Sequence, residues 1–243
     1  MKLCDLHTHI LPGVDDGAPT MEYALQMLRN AYASDVETLA VTPHCNVPFG
    51  PENYWGQELQ ARFSELQQAA RDIPVQLVPG GEVRVTEELP LLLEQGKLPT
   101  INGGRYLLTE FPADTRESAF PQALRWILDQ GLVPLVAHPE RYAAVCAEPG
   151  IVEQWLDMGC HLQLTGGSIL GEYGKTVRRT AAFLLKQDLV ACVASDAHGV
   201  NRRSNYLMDV CDHLTVQYSK AYACCLMYEN PMRICRNEPI WEV

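Results

Sequence analysis

Short apolar, β-branched runs alternate along the chain with longer stretches whose apolar residues recur every three to four positions. The short runs cover residues 3–7, 37–42, 75–83, 106–110, 133–138, 161–165 and 189–195. Two of these regions, Leu132-Val-Pro-Leu-Val-Ala137 and Leu189-Val-Ala-Cys-Val-Ala194, are apolar almost throughout, the pattern of parallel strands covered on both faces. Helical spacing occupies residues 21–34, 52–71, 87–95, 118–130, 151–158, 175–187, 205–214 and 219–229, while 113–119 carries the weakest pattern. In the first helix Ala24, Met27, Leu28 and Ala31 share a face, and Thr20 supplies a capping oxygen ahead of it. Seven strands each followed by a helix predict an α/β fold, a closed or nearly closed TIM-barrel-like ring of seven βα units. An open doubly wound sheet is the second choice. It would place the site at one switch point, whereas polar residues of interest end nearly every strand here.

The length of 243 residues suits one domain covering residues 1–243. No apolar run is long enough to cross a membrane. The start, Met-Lys-Leu-Cys-Asp-Leu-His, lacks the apolar stretch of a signal peptide; both observations predict a cytoplasmic protein with no membrane insertion. The nine cysteines form no C-x-x-C pair, which disfavours a zinc knuckle or disulfide framework. A net charge of −11 argues against nucleic acid as a partner. It leaves room for a small anionic group, because bound cations reverse the sign locally.

Five of the seven histidines, His7, His9, His44, His138 and His198, fall at or just past a predicted strand end. Asp16, Glu82, Glu110 and Asp196 hold equivalent places. One residue per strand end gives His7, His44, Glu82, Glu110, His138, Gln163 and Asp196, at intervals of 37, 38, 28, 28, 25 and 33 residues. Each interval fits a βα unit, and the carboxyl ends of barrel strands converge on one mouth. His7-Thr-His9 sets two imidazoles on one strand face; Asp196-Ala-His198 repeats the spacing, and Asp15-Asp16-Gly17 adds hard oxygens in a turn. Imidazole mixed with carboxylate suits zinc, manganese or iron, and nine such ligands exceed the needs of one ion, so two or three are expected. A lone His-x-His or Asp-x-His is more often structural; it is the joint pattern that points to a metal site. His161, which starts a strand, and His213, in a helical pattern, read as structural.

Arg141 follows His138-Pro-Glu, and Arg203 lies five residues past His198. Guanidinium forks match phosphate oxygens, so both are candidates for binding a phosphate, with Arg84 and Arg202 as weaker ones. Each could instead be a surface ion-pair partner.

The stretches His7-Thr-His-Ile-Leu-Pro-Gly-Val-Asp-Asp-Gly17, Thr42-Pro-His44, Pro79-Gly-Gly-Glu82, Leu108-Thr-Glu-Phe-Pro112, Val136-Ala-His-Pro-Glu-Arg141 and Ala194-Ser-Asp-Ala-His198 occur in an order that resembles the polymerase-and-histidinol-phosphatase (PHP) superfamily. More closely, they resemble its bacterial protein tyrosine phosphatases of the capsule-biosynthesis CpsB/YwqE group. The resemblance implies a distorted (β/α)7 PHP-type barrel with three metal ions, commonly manganese, with iron or zinc as other fits. It implies that one metal takes His7, His9, Glu82 and Asp196, a second Glu82, Glu110 and His138, and a third Asp16, His44 and His198. It further implies that Arg141 and Arg203 contact phosphate, although the adjacent Arg202 and Arg203 leave the second arginine open. The expected activity is hydrolysis of phosphotyrosine on a protein, an autophosphorylated bacterial tyrosine kinase controlling polysaccharide synthesis, with a metal-activated water as nucleophile.

Four rivals compete. A small-molecule phosphatase of the same superfamily, such as a histidinol-phosphate phosphatase, would share the metal site. A scaffold could bind a phosphorylated partner without turnover. An amidohydrolase-type barrel would need a metal-bridging lysine at a middle strand end, and none is evident. A cysteine phosphatase would need His-Cys-x5-Arg; His44-Cys45 starts such a loop, but position 51 is Pro51.

Overall fold

The computed structural model describes residues 1–240. Among them, nine strand segments lie in two sheets, and every pairing is parallel. The strands are β1 (Leu3–Asp5), β2 (Val36–Val41), β3 (His44–Cys45), β4 (Gln76–Pro79), β5 (Glu82–Arg84), β6 (Tyr106–Glu110), β7 (Val133–Ala137), β8 (His161–Thr165) and β9 (Cys192–Ala194). Their order is β1-β2-β4 in one sheet and β3-β5-β6-β7-β8-β9 in the other. The second and third passes of the chain serve both sheets, so seven passes carry nine segments. The first and last passes meet through a parallel bridge between Thr8 and Ala197. There His9 N donates to Ala197 O at 2.9 Å and Asp196 N to His7 O at 2.9 Å. The path thus comes round on itself as the seven-unit, barrel-like expectation requires, and each pass delivers its end to one rim.

One predicted strand needs correction. Residues 75–83 form two segments, β4 and β5, in different sheets. The break falls at Gly80-Gly81, where the backbone runs against its neighbours: a Cβ on Gly81 would lie 2.3 Å from Pro99 Cγ. Likewise β2 is followed, across Thr42-Pro43, by the short β3 that opens with His44; proline has no N–H to give the ladder.

The helices α1 (Met21–Ala33), α2 (Gln57–Ala69), α3 (Leu89–Glu94), α4 (Phe120–Asp129), α5 (Ala143–Ala147), α6 (Glu153–Asp157), α7 (Gly166–Leu170), α8 (Lys175–Lys186), α9 (Met208–Gln217), α10 (Lys220–Cys224) and α11 (Asn230–Cys235) pack around the strands. In α1 the buried side chains are Ala24, Met27, Leu28 and Ala31, and Thr20 caps the helix by accepting from Tyr23 N. The expected helix over 52–71 starts only at Gln57, and 113–119 contributes a single 3-10 turn, Glu117–Ala119. The expected helix over 219–229 is also revised: α10 passes into a π-helical turn, Cys225–Glu229, and then into α11. Pro231 sits in the first turn of α11, and its missing N–H interrupts the hydrogen-bond run where the π-helical turn gives way to α11. All nine cysteines are free thiols. No helix of the described residues is long and apolar enough to cross a membrane.

Beneath the rim, Phe111, Phe120, Tyr142 and Trp155 form a buried aromatic cluster. Tyr142 Oη donates to Ala137 O at 2.7 Å and accepts from Phe111 N at 3.1 Å. This one hydroxyl ties the end of β6 to the end of β7 and so sets Glu110 against His138.

Candidate metal centre

All nine expected ligands, His7, His9, Asp16, His44, Glu82, Glu110, His138, Asp196 and His198, arrive at the same rim and meet side chain to side chain. Asp16 is exposed and His44 and His198 are partly so; the other six are buried. Glu82 stands at the centre: Oε1 is 2.8 Å from His138 Nε2 and 3.3 Å from His7 Nε2, while Oε2 is 2.9 Å from His44 Nδ1 and 3.3 Å from His9 Nε2. Asp16 Oδ1 faces His198 Nε2 at 3.4 Å and His44 Nε2 at 3.5 Å. Glu110 approaches His138 at 3.8 Å and His44 at 3.9 Å.

The backbone at this rim is unusual. His138 (φ 36°), Asp196 (φ 54°) and Arg203 (φ 48°) all occupy the left-handed region, which costs free energy for any residue with a Cβ and persists only where the surrounding structure holds it. Gly17 is demanded by contact: a Cβ there would lie 1.9 Å from His9 O. That close approach folds the Asp15-Asp16-Gly17 turn over His9, and Ala18 N donates to His9 O at 2.9 Å.

The rings are aimed from outside. His7 Nδ1 meets Gln163 Oε1 at 2.8 Å, His9 Nδ1 meets Asp15 Oδ2 at 2.8 Å, and His198 Nδ1 meets the Asp196 carbonyl at 3.0 Å. Each partner is an acceptor, so each Nδ1 carries the proton and each Nε2 points inward, the arrangement typical of metal-ligating imidazoles. His7 Nε2 and His9 Nε2 then face one another at 3.1 Å. A positive centre, whether proton or cation, must lie between two such lone pairs.

Electrostatics point the same way. Burial disfavours a charged ring at His9, but Asp15 and Glu82 outweigh it and raise its pKa to about 10. Burial also opposes the Asp15 carboxylate, yet His9 and the His44 and Gly17 amides hold it down at about 2. Glu110 goes the other way: burial and the charge of Glu82 push it up to about 7. Of the two carboxylates beside His9, Glu82 faces Nε2, where the charge that favours a proton also favours a cation.

The donor set fits metal ions. His7 Nε2 and His9 Nε2 lie 3.5 and 3.6 Å from Asp196 Oδ1. Each of these two nitrogens also lies 3.3 Å from one Glu82 oxygen, Oε1 for His7 and Oε2 for His9, spacings close to the ~3.4 Å donor–donor edge of a tetrahedral N/O set. Despite these close approaches, His44 Nδ1, Glu82 Oε2, Glu110 Oε2 and His198 Nε2 are buried without a hydrogen bond of good geometry, a costly arrangement without a further ligand. Three groups have donor atoms within 4.8 Å of one another: His9, Asp16, His44 and His198; His7, His9 and Glu82; His44, Glu82 and Glu110. The first adds His9 to the trio that the resemblance implies, the second lacks Asp196, and the last has His44 where the resemblance implies His138.

Arg141 Nη1 donates to Asp196 Oδ2 at 2.6 Å, and its guanidinium lies 4.9 Å from the Tyr173 ring centroid. Arg203 Nη2 donates to both Asp196 oxygens at 3.0 and 2.9 Å. Arg202 is exposed, so it is Arg203 that reaches the cluster. Arg84, the other weaker candidate, pairs with Glu110 at 3.3 Å. His161 and His213 stay outside the cluster, at the start of β8 and within α9. Cys45 is fully buried and burial pushes its thiol well up, the opposite of an activated thiolate. Cys45→Ser is expected to leave turnover within about twofold of the parent in a phosphatase assay; abolished turnover would restore the cysteine reading.

Some residues that position the site escaped the sequence reading. Gln163 was counted only as a strand-end residue, and Asp15 only as a possible hard oxygen. Asp5 accepts from Ser195 Oγ at 2.6 Å and from Ser195 N at 3.0 Å, latching β1 to the end of β9. Glu140 accepts from Thr165 N at 2.9 Å and pins the His138–Arg141 turn onto β8. Both are carboxylates within apolar or motif-rich stretches, and their burial is the signal that composition alone does not carry.

A ring of parallel strands with this imidazole–carboxylate cluster at one rim is the framework of a metallohydrolase-type barrel. The chain belongs to the CpsB/CapC family of capsular polysaccharide synthesis, whose model matches residues 3–236. It is 30% identical over 243 residues to the tyrosine-protein phosphatase YwqE of Bacillus subtilis (strain 168), covering 98% of this chain and 94% of that one. It is also 30% identical over 247 residues to the tyrosine-protein phosphatase CpsB of Streptococcus pneumoniae, covering 98% and 100%. In structure it matches a chain from a study of YwqE and CpsB, described as unique metal-dependent tyrosine phosphatases, with a TM-score of 0.91 and 29% identity over 99% of this chain and 97% of that one. A lactonase from Listeria monocytogenes shares the fold alone, at a TM-score of 0.65 and 11% identity over 98% and 95% of the two chains.

Proposed function

We propose that this protein is a metal-dependent phosphatase that removes phosphate from tyrosine on proteins. The observation that carries this reading is the inward-facing Nε2 pair of His7 and His9, 3.1 Å apart, with each Nδ1 already committed to an acceptor. The names of the relatives supply the substrate class. Three ions held by His7, His9, Glu82 and Asp196, by Glu82, Glu110 and His138, and by Asp16, His44 and His198 are the proposed occupancy, with manganese as the ion. The site draws on residues from His7 to Arg203, and the whole chain works as one unit in this reading.

Divalent ions bound there would supply Lewis acidity and lower the pKa of a water in the site. The chain's own residues do the rest. Gln163 and Asp15 hold the His7 and His9 rings so that their lone pairs point inward. Arg141 and Arg203, both already at the Asp196 carboxylate, are placed to stabilise charge on the non-bridging phosphate oxygens. Phenolate leaves readily, so tyrosine phosphate asks less acid assistance than an alkyl ester. The proposed physiological substrate is a cytoplasmic bacterial tyrosine kinase that controls polysaccharide synthesis.

EDTA is expected to abolish hydrolysis of a phosphotyrosine peptide, and manganese to restore it, with metal analysis of the purified protein run alongside. Turnover that survives complete metal removal overturns the reading. Faster hydrolysis of histidinol phosphate than of the peptide transfers the site to small-molecule substrates.

A further inference from the structure

Helix α8 carries Lys175, Arg178, Arg179 and Lys186 and no acidic residue, in a chain whose net charge is −11. Offsets of three, four and eleven residues from Lys175 place the four cations on one stripe of the helix. All four are exposed, whereas Thr180, Ala181, Leu184 and Leu185 turn to the core. At the α-helical rise the stripe runs for about 16 Å. None of the four is in an ion pair among the described residues, where the paired arginines are Arg62, Arg71, Arg84, Arg141, Arg203 and Arg233.

The fold does not account for this charge. Lys175, Arg178 and Arg179 stand in the first two turns, at the positive end of the helix dipole, where cations are disfavoured. The helices α1, α2 and α9 place Glu22, Glu58 and Asp209 in their first turns. In α8 the first turn has no acidic residue, and Gly174 offers no side-chain cap. Only Lys186, in the last turn, holds the place that the dipole favours. The charge is thus unfavourable to the folded chain alone, and an anionic partner lying along the helix would offset it.

The stripe starts at the phosphate side of the rim. Helix α8 packs against the Pro139–Arg141 turn, and the loop that leads into α8 carries Tyr173, whose ring centroid lies 4.9 Å from the Arg141 guanidinium. Arg178 folds back over that loop: a Cβ on Gly171 would lie 3.1 Å from Arg178 Cδ. A polypeptide with its phosphate at Arg141 can therefore leave the rim along α8. An extended chain advances ~3.3–3.6 Å per residue, so the stripe spans about five residues of it.

Resting on the phosphatase reading, we propose that the cationic face of α8 docks the substrate polypeptide through anionic side chains that flank its phosphotyrosine. None of the four cations touches a reacting group in this scheme. Their contribution belongs to KM, it is confined to substrates that carry flanking negative charge, and salt screens it.

The test uses the metal-loaded protein and three substrates: a phosphotyrosine peptide flanked by glutamates, the same peptide with glutamines in their place, and p-nitrophenyl phosphate. The wild type is expected to show a KM about fivefold lower for the glutamate peptide than for the glutamine peptide, a preference that collapses in about 0.5 M salt. The double variant Arg178→Ala/Arg179→Ala raises the glutamate-peptide KM by about the same factor. Its kcat, and its kcat/KM for the other two substrates, stay within about twofold of the parent. Arg178→Lys/Arg179→Lys keeps most of the preference, and neither variant melts below the parent. Equal wild-type KM values for the two peptides, or a double variant with an unchanged glutamate-peptide KM, overturn the docking role and leave the phosphatase reading in place. Equal losses on all three substrates overturn it too, by giving the arginines a structural part. Loss of binding to phosphatidylserine vesicles with both peptide KM values unchanged overturns it by moving the helix to a lipid surface. A wild type that hydrolyses none of the three esters removes the phosphatase reading and the docking role with it.

Discussion

Glu82→Gln is expected to lower kcat/KM by about 10³-fold, the scale of the several kcal/mol that metal-ion catalysis supplies. Among the described residues, Glu82 is the one carboxylate paired with four of the imidazoles, His7, His9, His44 and His138. Glutamine keeps its size but removes a charge and replaces one oxygen donor by an amide nitrogen. Burial opposes the ionised carboxyl, yet His7 and its neighbours hold its pKa well below the usual range, so it is charged wherever the protein is folded near neutral pH. Metal content measured on the purified variant should fall together with activity. A second readout separates this from unfolding. Manganese should raise the melting temperature of the parent through binding linkage, and that rise should shrink in the variant while its metal-free melting temperature stays near the parent's. A Glu82→Gln protein with full metal content and parental kcat/KM would remove the carboxylate from the centre of the mechanism.

Arg141→Ala is expected to reduce kcat/KM by about 10²–10³-fold with metal content unchanged, the usual cost of losing one preorganised charge donor at a developing anion. Its guanidinium is anchored on Asp196 and Tyr173, which fixes its direction before any substrate arrives. Arg141→Lys restores charge without the planar fork, so only part of the loss should return. Unchanged kinetics would take arginine out of phosphate binding. A parallel fall in metal content would instead mean that Arg141 serves by holding Asp196. Arg203, bonded to both oxygens of the same carboxylate, is expected to follow the same pattern; Arg202, exposed beside it, is not.

Local chemistry makes much of this site legible before any coordinates. Alternation of strand and helix patterns is a property of neighbouring residues, and it places His7, His44, Glu110, His138 and Asp196 at the ends of chain passes that a parallel ring must bring to one rim. The other candidate ligands are read from the i, i+2 partners of these residues and from the turn at Asp15-Asp16-Gly17, and Arg141 from its place beside His138. Periodicity also located the buried face and the cap of α1, because both depend on residues within one or two turns.

What tertiary structure decided is whatever depends on partners distant in sequence. The break of residues 75–83 into β4 and β5 comes from Gly81 meeting Pro99, a contact no strand pattern encodes. The orientation of His7 depends on Gln163, 156 residues away, and the latch at Asp5 depends on Ser195, 190 residues away. The choice of Arg203 over Arg202 rests on a left-handed turn that aims one side chain at Asp196 and leaves its neighbour in solvent. Sequence alone determined which side chains can ligate and which rim they share, because strand direction and side-chain alternation are local. Only the fold determined which nitrogen of each ring faces inward, because that is set by hydrogen bonds from residues brought close by packing.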